Sequence, residues 1–130
     1  MSYVVVAGRI LFAAIFLVAA PRHFTGEGAA HAAALGVPLA RLAVPLSGVL
    51  ALAGGLSVLL GYYTRAGAWA LIAFLVPVTF MMHAFWRLED PLAIHLQQAM
   101  FMKNLSMVGA ALLIVYFGGG PLSLDARMGR

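Results

Sequence analysis

Four long apolar segments, separated by short polar stretches, make up most of the chain. They run over about 3–20, 42–60, 66–86 and 96–117, and each holds 18–22 residues. A helix needs about 20 residues to cross the ~30 Å hydrocarbon layer of a bilayer. Apolar residues occur all round each helix, which disfavours a soluble amphipathic bundle. The pattern predicts an all-α integral membrane four-helix bundle, with residues 1–130 forming a single domain.

The connections between the segments are short and rich in turn residues. The longest, 22–41, contains an Ala-rich run between Gly28 and Gly36. That run predicts a short interfacial helix between the first and second spans. The first segment has the hydrophobicity of a signal peptide, but it lacks a basic n-region and is too long, so we expect it to be a retained span.

Composition supports a membrane protein and excludes several classes of function. The chain is 64% hydrophobic and 9% charged, against roughly a quarter charged in soluble domains, and its mean hydropathy is +1.00. The net charge of +4 comes from basic residues scattered singly, which argues against nucleic-acid binding. Cysteine is absent, which excludes thiol and iron–sulfur chemistry. The four histidines lie in different segments, so no metal site is predicted.

An even number of spans places both termini on one side of the membrane. Lys and Arg divide four against four between the two sides, so the positive-inside rule does not decide the orientation. The acidic residues give a weak preference, with one on the terminal side and three opposite. We therefore predict that both termini are cytoplasmic.

Small residues mark possible contacts between helices, because helices in lipid associate through close packing. In the second segment Ser47, Ala51 and Gly55 lie four apart, and Gly54 is beside them. The fourth segment has a similar stripe of small residues at Ser106, Gly109 and Ala110. These stripes predict helix interfaces. The abundance of Ala and Gly in this chain could produce them by itself.

The few polar residues within the spans define a candidate ligand site. His83 and Trp86 lie near the end of the third segment, and Gln97 begins the fourth at that same end of the bundle. A cavity at that end is therefore predicted, lined by His83, Trp86, Gln97, Met100, Phe101 and Asn104, with Lys103 adjoining. Ionisable residues inside a membrane are costly and usually functional. The alternative is structural: a neutral His83 that hydrogen-bonds to Gln97 or Asn104 and fixes the helix register.

Arg9 and Asp125 form a second candidate pair, of structural significance. Arg9 lies within the first span and needs a partner, and Asp125 follows the fourth span at the same face of the membrane. An ion pair between them would tie the C-terminal tail under the bundle.

Several stretches taken together resemble the DoxX-like family of small bacterial four-span membrane proteins. They are GRILFAAIFLVAAPRHF, AGGLSVLLGYYTRAGAWAL, MMHAFW and FMKNLSMVGAALLIVYFGGGPLSLD. The matching positions are Arg9, Gly54, Gly55, Gly61, Arg65, His83, Lys103, Asn104, Ser123, Leu124 and Asp125. One departure is Ala51, where such relatives often have Glu, so no proton relay through that carboxylate is expected.

The resemblance implies a multi-pass protein of the bacterial inner membrane with cytoplasmic termini. Proteins of that family occur with quinone-linked sulfur oxidation and with membrane oxidoreductase and oxidative-stress systems, and distant eukaryotic relatives act as cargo receptors. We therefore expect an accessory subunit rather than a self-sufficient oxidoreductase. It would hold no covalent cofactor but would bind a quinone or lipid, and it would work with a redox partner protein or as a homo-oligomer.

Two functions follow from these expectations. In the first, the apolar cleft holds a quinone or similar lipid, with His83 or Asn104 donating to it and Trp86 or Phe101 stacking on it. In the second, the protein is a non-catalytic membrane scaffold or a chaperone-like partner of another protein. In a structure in native lipid, ligand density beside His83 would favour the first function, and tight side-chain packing there would favour the second.

Overall fold

The computed structural model describes residues 1–130 and contains six α-helices and two short 3-10 helices, without strands. The α-helices are α1 (Ser2–Ala19), α2 (Gly26–Ala34), α3 (Ala40–Leu60), α4 (Thr64–Met82), α5 (Pro91–Phe117) and α6 (Leu124–Arg127). The 3-10 helices are Ala20–Phe24 and Phe85–Arg87.

Four helical stretches are long and apolar enough to cross a membrane, which confirms the predicted helical membrane bundle. They are Ser2–Phe24, Ala40–Leu60, Thr64–Arg87 and Pro91–Phe117. The predicted short helix between the first two spans is α2. Thr25 caps it, since its Oγ1 accepts a hydrogen bond from the Gly28 amide at 3.3 Å.

The third and fourth spans differ from the predicted segments on either side of the loop that joins them, at the end of α4 and the start of α5. Helix α5 begins at Pro91, five residues before the predicted start, because Asp90 caps it and accepts from the Ala93 amide at 2.8 Å. Proline is favoured in the first turn, where its missing N–H would have no helical partner. Helix α4 ends at Met82, and His83 follows with a non-helical φ of −120°. Polar capping chemistry was therefore a better guide than hydropathy to the start of α5.

The spans pack in the order α1–α3–α4–α5, with α3 and α4 in the middle. Adjacent glycines on α3 bring both neighbours close. A Cβ on Gly54 would lie 2.7 Å from Cγ of Leu71 and 2.8 Å from the carbonyl oxygen of Gly67, both on α4. A Cβ on Gly55 would lie 3.0 Å from Cδ2 of Leu17 on α1. The two glycines thus serve two different interfaces.

The buried core lies where α1, α3 and α4 meet. Its members are Phe16, Ala20, Ala51, Val58, Leu71, Phe74 and Leu75. The rings of Phe16 and Phe74 meet edge to face, with centroids 6.2 Å apart, which joins α1 directly to α4. The outermost spans α1 and α5 have no extended contact with each other.

The small-residue stripe of the fourth span is not a helix interface within this chain, so that expectation was wrong. Ser106 and Gly109 are exposed, and a Cβ on Gly109 would meet no atom within 4 Å. Helix α5 instead buries Asn104 and Ala111 against the bundle. Sequence spacing located a stripe on α5 but could not say which face meets α4.

The packing at α3 predicts opposite effects for two matched glycine substitutions. Gly54→Ala should lower stability by about 1–3 kcal/mol, because the added methyl group meets α4 at less than contact distance. Gly109→Ala should be neutral or stabilising by up to about 1 kcal/mol, because alanine suits an open helix position better than glycine. Thermal unfolding in detergent measures both. Equal melting temperatures for the two variants would contradict the close α3–α4 contact.

Candidate functional site

A cavity of about 440 Å³ lies inside the bundle, at the end that carries the loop between α1 and α3. All four spans contribute to its wall, and α2 covers part of it. Its polar and titratable lining residues are Arg22, His23, His31, Ser47, His83, Lys103 and Asn104. Most of the remaining wall is apolar and includes Phe16, Phe74, Val78, Met81 and Met107.

Gly48 on α3 brings the end of the first span against the cavity. A Cβ at this position would lie 2.6 Å from Cβ of His23 and 3.0 Å from the Phe24 ring. The 3-10 helix Ala20–Phe24 therefore packs directly on α3, and His23 reaches the cavity wall. Pro77 of α4 also lines the cavity, which places a residue without an amide N–H on that wall.

His83 and Gln97 form the hydrogen bond that the structural alternative predicted. Nδ1 of His83 lies 2.7 Å from Oε1 of Gln97. Because a carbonyl oxygen only accepts, Nδ1 donates this hydrogen bond, and in the neutral tautomer with this proton Nε2 is an acceptor. His83 also lines the cavity, whereas Gln97 does not. Register fixing and ligand binding are thus compatible roles for His83.

His23 and Ser47 form a matching pair that the sequence analysis did not identify. Nδ1 of His23 lies 2.9 Å from Oγ of Ser47, and that hydroxyl donates to the Val44 carbonyl at 2.6 Å. Since the hydroxyl proton is committed to Val44, Ser47 accepts from His23. Nδ1 is again the protonated nitrogen. The available signal was a histidine at the end of the first span opposite a Ser-Gly pair on the second.

Two further predicted residues, Lys103 and Asn104, also line the cavity. Asn104 is only 4% exposed. Its amide makes no hydrogen bond within the protein, and its amide atoms are not sealed from the cavity. Lys103 is exposed, and its Nζ lies 3.5 Å from Sδ of Met100, a weak acceptor.

Met100, predicted to line the cavity, does not. Trp86 and Phe101 do not line it either, contrary to the prediction. They belong instead to an aromatic cluster with Phe80 and Phe85. The Trp86 and Phe101 centroids are 5.8 Å apart, and those of Phe80 and Phe101 are 5.3 Å apart. The reason is that α4 ends at Met82, which places Trp86 in the 3-10 turn Phe85–Arg87 beyond the helix. Trp86 and Phe80 are about half exposed, as suits an anchor at the membrane interface.

No carboxylate lines the cavity, although two permanent cations and three histidines do. The histidines do not cluster with other ligating groups in a way that could hold a metal ion. The cavity therefore offers a ligand hydrogen-bond donors, positive charge and an apolar surface. Such a site can bind and orient a molecule.

The opposite end of the bundle is closed by the C-terminal tail. Asp125, at the start of α6, accepts from the Tyr63 and Thr64 amides at 2.8 Å each and from Thr64 Oγ1 at 2.6 Å. It therefore caps α4 from outside that helix, where the dipole favours a negative charge. Burial raises the pKa of the Asp125 carboxyl, but hydrogen bonds from Thr64 and Tyr63 and the charge of Arg130 outweigh it and lower this pKa below its ordinary value.

Arg9 lies in the same end of the bundle but does not hydrogen-bond to Asp125, so the predicted direct pair was wrong. Arg9 is 6% exposed and donates to the Leu122 carbonyl at 3.0 Å, while its Nε and Nη1 have no partner. A Cβ at Gly61 would clash with its Nη1. The tail is tied under the bundle as expected, but the backbone amides of α4 hold Asp125, and a tail carbonyl holds Arg9.

The fold and the cavity define a small four-span helical membrane protein with a largely apolar pocket that also carries polar and charged side chains. Comparison with protein families adds that the chain belongs to the SURF4 family, whose model matches residues 1–129. No solved structure gives a significant match.

Two proteins of Escherichia coli (strain K12) resemble the chain over most of their length. Inner membrane protein YqjF is 31% identical over 128 residues, which cover 97% of this chain and 92% of that protein. Inner membrane protein YphA is 30% identical over 121 residues, which cover 92% and 86%. The chain is therefore a small integral protein of the inner-membrane type.

The family finding corrects the DoxX-like assignment, which was wrong. Two of the positions on which the DoxX-like resemblance rested have general structural roles in this protein. Gly54 allows α4 to approach α3 closely, and Asp125 caps α4. Glycine contacts and helix caps are required in many compact membrane bundles. Such short features, even in a fixed order, do not distinguish one small four-span family from another.

The Asp125 cap predicts a pH-dependent loss of stability. Asp125→Asn should cost about 1–3 kcal/mol near neutral pH, because both carboxylate oxygens accept hydrogen bonds and the NH2 of Asn would face a donor in place of one of them. Because the folded-state pKa is lowered, the stabilisation is present above the unfolded-state pKa of about 4 and is lost as the pH falls through the folded value. Melting temperatures of both proteins in detergent, from pH 8 down to pH 3, measure the difference.

A matched control for that experiment is Asp90→Asn, which weakens the cap of α5 at the other end of the bundle. Because Asn caps a helix about as well as Asp and its oxygen can still accept from the Ala93 amide, the effect near neutral pH should be small, and the C-terminal tail should stay in place. If Asp125→Asn instead equals the parent protein at pH 7, the carboxylate does not stabilise α4.

Proposed function

We propose that this protein binds one lipid-like amphiphile, which enters the cavity sideways from the bilayer. The observation that carries the proposal is a cavity whose wall combines apolar and polar side chains, placed where the outermost spans α1 and α5 lack extended contact. A volume of about 440 Å³ falls within the range of ordinary ligand pockets, roughly 300–1,000 Å³.

The apolar wall suits a hydrocarbon chain. Phe16, Phe74, Val78 and Met107 come from three different spans and present aromatic and flexible surfaces. Methionine adapts readily to ligands of varied shape. A chain held there would continue into the surrounding lipid between α1 and α5, so only part of a long molecule needs to fit inside.

The polar side chains of the wall suit a headgroup. Asn104 is only 4% exposed, its amide makes no hydrogen bond within the protein, and its amide atoms are open to the cavity, where a ligand can bond to them. His23 and His83 use Nδ1 for internal hydrogen bonds and keep Nε2 free to accept from a hydroxyl. Headgroup oxygen atoms would satisfy these groups.

The sequence led us to expect a quinone, which is a narrower class of ligand than a lipid-like amphiphile. The geometry of the cavity supports a quinone less well than it supports a lipid-like amphiphile in general. The stacking residues Trp86 and Phe101 lie outside the cavity, and Nδ1 of His83 is already bonded to Gln97. The association with a redox partner rested on the family resemblance that proved wrong, so it is not part of this proposal. Tight packing at His83 would have favoured the scaffold alternative, whereas His83 lines a cavity.

Filling the cavity tests lipid binding. Ala43→Phe places a ring on the cavity wall, whereas Ala53→Phe places the same ring on the exposed side of the same helix. The parent protein and Ala53→Phe should keep a bound amphiphile after purification in mild detergent, and Ala43→Phe should lose most of it. Native mass spectrometry counts the bound molecules.

The control for folding in that experiment is the elution volume and melting temperature of each variant. If folded Ala43→Phe retains as much amphiphile as Ala53→Phe, then the cavity is not the binding site. If all three proteins carry no amphiphile, the proposed function is wrong.

We further propose that both termini face the cytoplasm, which places the cavity in the outer half of the membrane. The support is the excess of acidic residues at the cavity end, where Glu27, Glu89 and Asp90 lie. A fluorescent protein that folds only in the cytoplasm, fused after Arg130, should then be bright. A periplasm-active phosphatase fused at the same position should be inactive, and the reverse pattern would overturn this orientation.

A further inference from the structure

We infer that the cavity selects amphiphiles whose headgroup carries an anionic oxygen group, a phosphate or a carboxylate, with Arg22 and Lys103 as the attracting cations. This inference rests on the proposed lipid binding and narrows its ligand class. It is carried by three observations: the charges on the cavity wall, the depth of Lys103, and the unpartnered amide of Asn104.

The cavity wall is positively charged and has no internal counter-ion. Arg22 and Lys103 line it, together with His23, His31 and His83, and no Asp or Glu does. The acidic residues closest in sequence to Arg22 and Lys103 do not line the cavity. Glu27 is exposed on α2, and Asp90 caps α5. Neither Arg22 nor Lys103 forms a hydrogen bond from its side chain to a carboxylate. A negative ligand is the partner that this wall lacks.

The depth of Lys103 makes a missing counter-ion costly. Lys103 follows the first residue of α5, Pro91, by twelve positions, about 18 Å along the helix at 1.5 Å per residue. A cation this far along a membrane span costs several kcal/mol unless it is paired or hydrated. A Lys that only anchors the protein would lie near a helix end. Lys103 lies in the middle of the longest span and on the cavity wall.

Asn104 supplies the hydrogen-bond donor that an oxyanion also needs. It neighbours Lys103 on α5, is 4% exposed, and has no protein partner for its amide. Hydrogen bonds in which one partner is charged are roughly twice as strong as neutral ones. An oxyanion could therefore be met by a charged group and a neutral donor on one helix, with Arg22 at the end of the first span completing the positive wall.

Two lipids that differ only in a phosphate test the inference. Dioleoyl phosphatidic acid and dioleoylglycerol are titrated into the purified protein in detergent, and binding is measured by native mass spectrometry. The parent protein should prefer the phosphatidic acid by at least about tenfold, as expected of one charge-assisted hydrogen bond. Lys103→Gln and Arg22→Gln should each reduce that preference severalfold without weakening dioleoylglycerol.

The matched control is Arg41→Gln, which removes a cation on α3 at the same end of the bundle but outside the cavity. It should keep the full preference. If the parent protein binds the two lipids equally well, the proposed anion selectivity is wrong. It is also wrong if Arg41→Gln loses as much of the preference for phosphatidic acid as Lys103→Gln and Arg22→Gln do. Neither result contradicts the proposed lipid binding.

Inorganic phosphate distinguishes a lipid headgroup from a free anion. If millimolar phosphate binds with the same dependence on Lys103 and Arg22 while neither lipid binds, the anion site is supported and the proposed lipid binding fails. If neither phosphate nor either lipid binds, both proposals fail.

Discussion

The close approach of α3 to both of its neighbours is the constraint on which the rest of the structure depends. In a bilayer, burying apolar surface gives helices no reason to associate, so their backbones must come close enough for dense packing and weak polar contacts. Gly54 and Gly55 meet this need toward α4 and α1 respectively. Because α3 and α4 occupy the middle of the bundle, α1 and α5 remain at its edges without extended contact. The gap that results is where the cavity lies.

The polar side chains at the two ends of the bundle have different kinds of hydrogen-bond partner. At the terminal end, glycines at 61 and 119 leave room for the tail, and Asp125 and Arg9 each bond to backbone groups. These backbone bonds hold the tail in place, although Nε and Nη1 of Arg9 have no partner. At the loop end, polar side chains bond in pairs such as His23–Ser47 and His83–Gln97 but leave donors, acceptors and cations unused. The first arrangement closes the fold, and the second leaves capacity for a ligand.

The architecture could be predicted from the sequence because hydropathy and span length report directly on the bilayer. The site was predicted only in part, because a residue's spacing does not reveal which neighbour its helix face meets. His83, Lys103 and Asn104 do share a cavity, and Gly54 and Gly55 are true contacts. Trp86 was misplaced because the end of α4 depends on local backbone geometry that hydropathy does not report. His23 and Ser47 were missed because their meeting requires the 3-10 helix Ala20–Phe24 to pack on Gly48.

The positive wall of the cavity also limits what this protein can do without a ligand. Arg22 and His31 are exposed near the loops, so water can hydrate them. Nζ of Lys103 lies beside Sδ of Met100, which is still nine residues, about 14 Å, from the start of α5. Asn104 cannot reach the loops either, because its side chain is short and nine-tenths buried. Its amide depends on whatever fills the cavity. An occupant with oxygen atoms satisfies it and the two cations together, whereas a purely hydrocarbon occupant would satisfy none of them.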